Sequence, residues 1–252
     1  MAKINNLFSN PNVVETAQLG NYHVLEFQKK FISNPALATA LYYSSQMNIK
    51  ERQVAIELNK SSCILSAGAM QWTIGNVQAN TNVKGVGDLF GKALKGAATG
   101  ESAIKPLYQG SGWIFLETTF KHILLEDVST WAGGLVLEDG LFLAADGTVD
   151  HQVVRRTNLS SALAGGEGLF NLCLRGQGVA VLESPVPREE LVEIVLENDE
   201  LKVDGSYAIA WSNSLEFTVE RSGKSLIGSA ASGEGLVNVY RGTGKVLMVP
   251  VK

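Results

Sequence analysis

Short runs in which hydrophobic and polar residues alternate recur along the whole chain. Over 215–220, Leu215, Phe217 and Val219 alternate with polar residues, as the inward-facing residues of a half-buried strand do. Other strand-like runs cover 22–27, 53–58, 63–72, 122–126, 135–137, 141–145, 152–156, 191–196, 201–203 and 207–211. The pattern predicts an all-β protein built from many short strands.

One segment near the N-terminus has helical spacing instead. Asn34-Pro35 is typical of a helix start, and Leu37 and Leu41 fall on one face, so a short helix is predicted over about 35–45. We interpret its aromatic pair, Tyr42-Tyr43, as a packing element rather than a recognition element.

A second helical spacing predicts a short helix at 87–97, with its apolar residues on one face. Basic residues surround it: Lys84, Lys92, Lys95 and Lys105. A solvated helix face explains them, and an RNA or an anionic surface bound there is the alternative.

Two glycine-containing motifs recur at a fixed spacing. Gly-x-Gly motifs, interpreted as turns, start at positions 110, 176 and 242, and a Gly-Glu motif precedes each of them. The interval of 66 residues predicts one structural unit repeated three times. The residues of these predicted structural turns are Gly100, Glu101, Gly110, Gly112, Gly166, Glu167, Gly168, Gly176, Gly178, Gly233, Glu234, Gly235, Gly242 and Gly244.

The expected architecture is therefore three tandem repeats of β-sandwich or double-stranded β-helix type, arranged with pseudo-threefold symmetry and with minor short helices. The repeats are expected at 50–118, 119–184 and 185–252, in one compact unit. Residues 1–49 would form an N-terminal extension packed on the first repeat.

The three glutamates of the repeated motif are the most distinctive polar group. Because they recur with the predicted unit, we expect each carboxylate to accept hydrogen bonds from backbone N–H groups of its own turn. Alternatively, Glu101, Glu167 and Glu234 converge on a common axis and bind a cation or a polar ligand.

The charge balance and the two cysteines limit the classes of function. The net charge is −4 with 18% charged residues, which argues against a general nucleic-acid surface. Cys63 and Cys173 lie in apolar runs 110 residues apart, which predicts buried, reduced thiols. With neither a secretory signal nor a long apolar run in the sequence, we expect a cytoplasmic protein without a membrane span.

The sequence contains no recognisable phosphate-binding, nucleophile or metal-ligand motif. The Gly-Lys pairs lack the earlier glycine of a phosphate-binding loop, and no Gly-x-Ser-x-Gly is present. The three histidines, His23, His122 and His151, are scattered without metal-ligand spacing. We therefore expect no catalytic residue, no cofactor, no metal ligand and no enzymatic activity.

The repeated motifs resemble a known family. The segment Ala67–Trp72 and the motifs around Glu101, Glu167 and Glu234 are similar to bacterial relatives of the mitochondrial biogenesis protein altered inheritance of mitochondria (number twenty-four), over about 50–251. The resemblance implies a fold similar to that of the tryptophan RNA-binding attenuation protein, three times in one chain. It does not carry over that protein's tryptophan or RNA sites, because no motif here matches them.

Taken with the apolar composition, a mean hydropathy of +0.09, these observations favour a scaffold or binding protein. It would act through a macromolecular partner or through self-assembly. The alternatives are a small-molecule binder or an enzyme with a pocket between repeats, and an RNA binder by analogy of fold. The expected contact regions are residues 1–49 and the insert at 84–99, because departures from a repeat map to its loops and faces.

Overall fold

The computed structural model describes residues 3–31, 34–80, 105–155, 170–221 and 236–250. Within these ranges the chain is mostly β, with fifteen strands and a single α-helix, α1 (Pro35–Gln46). Two 3₁₀ turns lie at Val128–Thr130 and Arg188–Glu190. The predicted all-β class is confirmed.

The fifteen strands form two sheets, with the first six strands of the chain in one sheet and the last four in the other. They are β1 (Val13–Leu19), β2 (Tyr22–Phe27), β3 (Glu51–Leu65), β4 (Met70–Asn80), β5 (Leu107–Leu116), β6 (His122–Asp127), β7 (Leu135–Leu137), β8 (Phe142–Asp146), β9 (Asp150–Arg155), β10 (Phe170–Arg175), β11 (Val179–Ser184), β12 (Val192–Asp204), β13 (Ala208–Ser212), β14 (Glu216–Arg221) and β15 (Leu236–Met248).

All strand pairs are antiparallel. The first sheet has the order β1-β2-β3-β8-β11-β6, with β5 also paired to β3 and β4 paired to β5. The second sheet has the order β12-β15-β13-β7-β10-β9, with β14 paired to β15. The long strands therefore each pair with more than one neighbouring strand, and both sheets curl. The fifteen-residue strand β3 pairs with β2, then with β5, and at its end with β8.

The core is filled by the inward faces of these strands. The largest cluster joins leucines from both sheets, among them Leu135, Leu174, Leu182 and Leu247, with the indole of Trp131. Each fully buried leucine contributes about 2 kcal/mol to the free energy of folding through the removal of apolar surface from water. The hydrophobic residues that alternate with polar residues along the strands are therefore those that face the core.

Several strand predictions needed correction. The run 63–72 was predicted as one strand, but β3 ends at Leu65 and the chain turns over 66–69 before β4 begins. The runs 191–196 and 201–203 were predicted as separate strands, but both belong to β12. A bulge after Leu196, with Asn198 at a φ of 54°, interrupts only the pairing. The strand β1 was not predicted.

The sequence suggested that all three Gly-x-Gly motifs are turns, but two of them are not. Gly110 and Gly112 lie inside β5, and the motif 242–244 lies inside β15. The motif 176–178 is a bend between β10 and β11. A Cβ atom at Gly110 or Gly112 would lie 2.0 or 2.1 Å from a carbonyl oxygen of β4. These glycines therefore allow two backbones to approach closely.

Both cysteines are buried and free, as predicted. Burial, reinforced by the charge of Asp146, raises the pKa of Cys63 to about 12. The Asp146 carboxylate accepts hydrogen bonds from Tyr22 Oη at 3.0 Å and from the Val179 N–H at 2.8 Å. This carboxylate therefore ties β2, β8 and β11 together.

Candidate functional site

The exposed apolar surface of the described residues is concentrated at one end of the molecule. Seven of the fourteen large hydrophobic side chains that are exposed belong to α1, the segments beside it, and the loop before β6. They are Phe31, Leu37, Tyr42, Tyr43, Met47, Ile49 and Phe120. A concentration of this kind marks a contact surface more often than scattered single residues do.

The helix at this end is defined by its two caps. The Asn34 Oδ1 accepts the Ala36 N–H at 2.9 Å, and Pro35 occupies the first turn, where its missing N–H costs nothing. At the other end Asn48 takes a left-handed φ of 56°, and the Ile49 N–H bonds the Ser44 carbonyl at 2.9 Å. The helix predicted at 35–45 is confirmed.

No residue of α1 is buried. Tyr42 and Tyr43 are 60% and 63% exposed, and their ring centroids lie 5.5 Å apart in an edge-on contact. The interpretation of this pair as a packing element is wrong, because the body of the protein leaves both rings largely in solvent. In most proteins the stability of such a short helix comes from packing of one face, so an uncovered helix is unusual.

A cavity of about 580 Å³ lies between α1 and the ends of β2 and β3. The helix lines it through its Ala38, Leu41, Tyr42, Ser44 and Ser45 side. The opposite wall and the rim carry Phe27, Phe31, Ile49 and Phe120 with the charged residues Lys29, Lys30, Lys50 and Glu51. Its size and its mainly apolar lining are typical of a groove that can accept side chains or a small ligand.

A buried ion pair anchors the wall of this groove. The Arg52 Nη2 lies 2.8 Å from Glu26 Oε2, and both side chains are largely removed from solvent. The Arg52 Nη1 also donates to the carbonyls of Lys50, Phe120 and Lys121, at 3.2, 3.5 and 3.4 Å. Arg52 therefore fixes the backbone that presents Phe120 at the rim.

A second ion pair crosses the groove. Glu51 accepts from Lys30 Nζ at 2.8 Å and from Thr118 Oγ1 at 2.7 Å. Burial acts to raise the pKa of Glu51, but the hydrogen bonds from Lys30 and Thr118 outweigh it, and the pKa is lowered. The Lys30 Nζ also stands 5.6 Å from the centroid of the Phe120 ring. Glu51 is therefore charged at neutral pH and held in place.

The segment around the helix is distinct in charge. Residues 28–50 contain Lys29, Lys30 and Lys50 but no Asp or Glu. Because this segment contributes +3 to a chain of net charge −4, the rest of the chain carries −7. The exposed apolar residues at this end are therefore bordered by positive charge on an otherwise acidic protein.

Several residues singled out by the sequence cannot be placed at this site. The Gly-Glu motifs at 100–101, 166–168 and 233–235, and the insert at 84–99 with its helix at 87–97, lie outside the described residues. The roles predicted for Glu101, Glu167 and Glu234 therefore stay predictions.

The histidines belong to different parts of the fold. His23 Nδ1 lies 3.3 Å from Glu15 Oε2 on the β1–β2 hairpin, whereas His151 on β9 packs edge-on against Phe142. Throughout the described ranges, no three His, Cys, Asp or Glu side chains come together as a metal site would require. None of those ranges contains a helix long and apolar enough to cross a bilayer.

Comparison with known proteins places the chain in a family. The sequence profile of the mitochondrial biogenesis AIM24 family matches residues 44–251. The chain belongs to this family. A protein of Streptococcus pyogenes serotype M6, described as uncharacterized, is 29% identical to this AIM24 chain over 203 residues, which covers 77% of the chain and 79% of the relative.

A solved structure also resembles this AIM24 protein. It is the X-ray crystal structure of a Streptococcus pyogenes protein from a structural genomics consortium. The two chains are 26% identical and align with a TM-score of 0.59, over 81% of this chain and 89% of the other. The family match begins at residue 44, so most of α1 precedes the matched region.

Proposed function

We propose that this AIM24-family chain is a binding protein that acts through macromolecular contact rather than catalysis, and that α1 is its contact element. The observation that carries the proposal is the state of α1, a capped helix without a buried residue that exposes Leu37, Tyr43 and Met47. These side chains are 52%, 63% and 73% exposed, so covering the exposed part would contribute about 1–2 kcal/mol each. A partner that covers them would recover this free energy.

The groove under the helix supports the same proposal. The Glu51 carboxylate that lines it is paired with Lys30, and Arg52, the next residue, is paired with Glu26. The carboxylate of Glu51 has a lowered pKa, whereas a general base works best with a pKa near the operating pH. The groove is therefore better suited to holding side chains of a partner than to transferring protons.

A small-molecule binder is the second candidate, and the cavity of about 580 Å³ favours it. Aromatic walls with one ion pair are typical of sites for small amphipathic ligands. A bound metabolite would leave the hydrodynamic size of the protein nearly unchanged, whereas a macromolecular partner would increase it. The hydrodynamic size of the protein therefore distinguishes a small-molecule binder from a protein that binds a macromolecule.

We also propose that the two curled sheets arise from three units related by approximate threefold symmetry. Each unit would have a fold similar to that of the tryptophan RNA-binding attenuation protein. In support, two of the three Gly-x-Gly motifs fall where the strand pairing changes. The motif 242–244 separates the part of β15 that pairs with β14 from the part that pairs with β13. The motif 176–178 separates β10 from β11, which belong to different sheets.

Size-exclusion chromatography of lysate from the native cells tests the contact function. We expect the tagged protein to elute well above its monomer mass of 27.0 kDa. Replacing both Tyr43 and Met47 by Gln removes apolar contact area while keeping good helix formers, and we expect this double variant to elute as a monomer.

Val153→Gln is the matched control, because Val153 is 59% exposed on β9, away from the helix. It should elute with the wild type, and all variants should melt within about 2 °C of it, because exposed substitutions change stability little. Elution of the wild type as a monomer, or equal loss of size in the control, would argue against α1 as the contact element.

A further inference from the structure

The outward face of α1 is a separate apolar stripe from the face that lines the groove. At 100° per residue, Ala36, Ala40 and Tyr43 follow one another along one side of the helix, and Met47, the C-cap residue after Gln46, continues that side. All four are exposed, and none of them lines the cavity. The helix therefore exposes apolar residues in addition to those that line the groove.

This stripe is complementary to itself. Its first two residues are small, and its last two are large. When two copies of the helix lie antiparallel across a twofold axis near residues 41 and 42, Ala36 of one copy faces Met47 of the other, and Ala40 faces Tyr43. The same axis satisfies both pairings, and each places a large side chain over a small one.

Charge favours the same arrangement. The helix carries no Asp, Glu, Lys or Arg, so two copies meet without like charges in the contact, and antiparallel helix dipoles attract. Two of the three nearby lysines are engaged: Lys30 with Glu51 at 2.8 Å, and Lys50 with the Gln28 side chain at 3.5 Å. An anionic membrane would be expected to use free basic groups on the helix itself.

We propose that the stripe Ala36-Ala40-Tyr43-Met47 is an interface with a second copy of this chain, formed by antiparallel pairing of α1 about a twofold axis. The inference rests on the proposed contact function and names its partner. A helix of twelve residues is about 18 Å long, which provides less area than a standard interface. We therefore expect a weak dimer, with a Kd on the order of 10–100 µM.

Disulfide trapping between two differently tagged full-length variants tests the pairing. Ala36→Cys and Met47→Cys chains are mixed at about 100 µM, near the expected Kd, and oxidised mildly. The native Cys63 and Cys173 are buried and do not compete. We expect the mixed disulfide to exceed either like-with-like disulfide by about tenfold, because like residues would lie about 16 Å apart across the axis.

Two controls separate pairing from collision. Adding Tyr43→Glu to both chains should lower the mixed product at least fivefold. Replacing the Ala36→Cys partner by Val195→Cys, at an exposed site on β12, measures random encounter. Equal yields for all pairs, an excess of like-with-like product as in a parallel dimer, or no product would each overturn the inference.

The same protein can be floated with vesicles of phosphatidylcholine and phosphatidylglycerol. Flotation that Tyr43→Glu abolishes, in the absence of the mixed disulfide, would assign the stripe to a membrane surface instead. If no disulfide forms but the lysate complex still depends on Tyr43 and Met47, the partner is a different protein. That outcome overturns this inference and leaves the proposed contact function standing.

Discussion

Replacing Gly112 by Ala is expected to lower the free energy of unfolding by about 3 kcal/mol or more. Gly112 lies in β5 at a φ of +151°, a conformation that residues with a side chain rarely adopt. Its Cβ would stand 2.1 Å from the Ile74 carbonyl oxygen of β4 and 3.0 Å from Gly75 Cα. Relief would require the two paired strands to separate.

Chemical denaturation of the purified variant measures this effect. Gly68→Ala is the matched control, because Gly68 also has a positive φ, of +79°, but a Cβ atom there would have no neighbour within 4 Å. It should cost about 1 kcal/mol from backbone strain alone. If the two variants were equally stable, the close approach of β4 and β5 would not be the reason for the glycine.

Acidification is expected to destabilise the protein through His151. Burial is the main cause that lowers the pKa of His151 to about 4, and the charge of Lys105 adds to it. Among the described residues its Nε2 has no hydrogen-bond partner. An unfolded histidine titrates near 6.5, so between pH 6.5 and 4 the unfolded chain binds a proton that the folded chain does not.

The free energy of unfolding therefore falls as the pH is lowered from 6.5 to 4. Below the pKa of His151 in the folded protein, this residue causes no further loss. The full effect is about 3 kcal/mol. The difference in unfolding free energy between the wild type and His151→Gln, measured from pH 7 to pH 4, isolates it from the carboxylates. Gln152→Ala, at the exposed neighbouring position, should keep the wild-type slope. A slope unchanged in His151→Gln would reject the assignment.

The elements that the sequence predicted well are those with strong local signals. Asn34-Pro35 marks a helix start through backbone chemistry alone, and the cap forms as expected. The run 135–145 contains two strands around a turn, and both form. The strand β1 was missed because its residues are mostly exposed, so that it lacks a clear alternation.

The errors arose where distant contacts decide the structure. A glycine needed for a turn and one needed for the approach of a second backbone look alike in sequence, so Gly110 and Gly112 were assigned to a turn. Similarly, Tyr42 and Tyr43 have the composition of packing residues. Whether anything covers them depends on the rest of the fold, which the helical spacing does not specify.

Photo-crosslinking in living cells tests most directly the central claim that α1 is a contact helix. A photoreactive amino acid replaces Tyr43 in one strain and Val195, which is 62% exposed on β12, in another. Irradiation should convert the protein into defined higher-mass species only from position 43. No crosslinked species from position 43, or the same species in equal yield from position 195, would contradict the account.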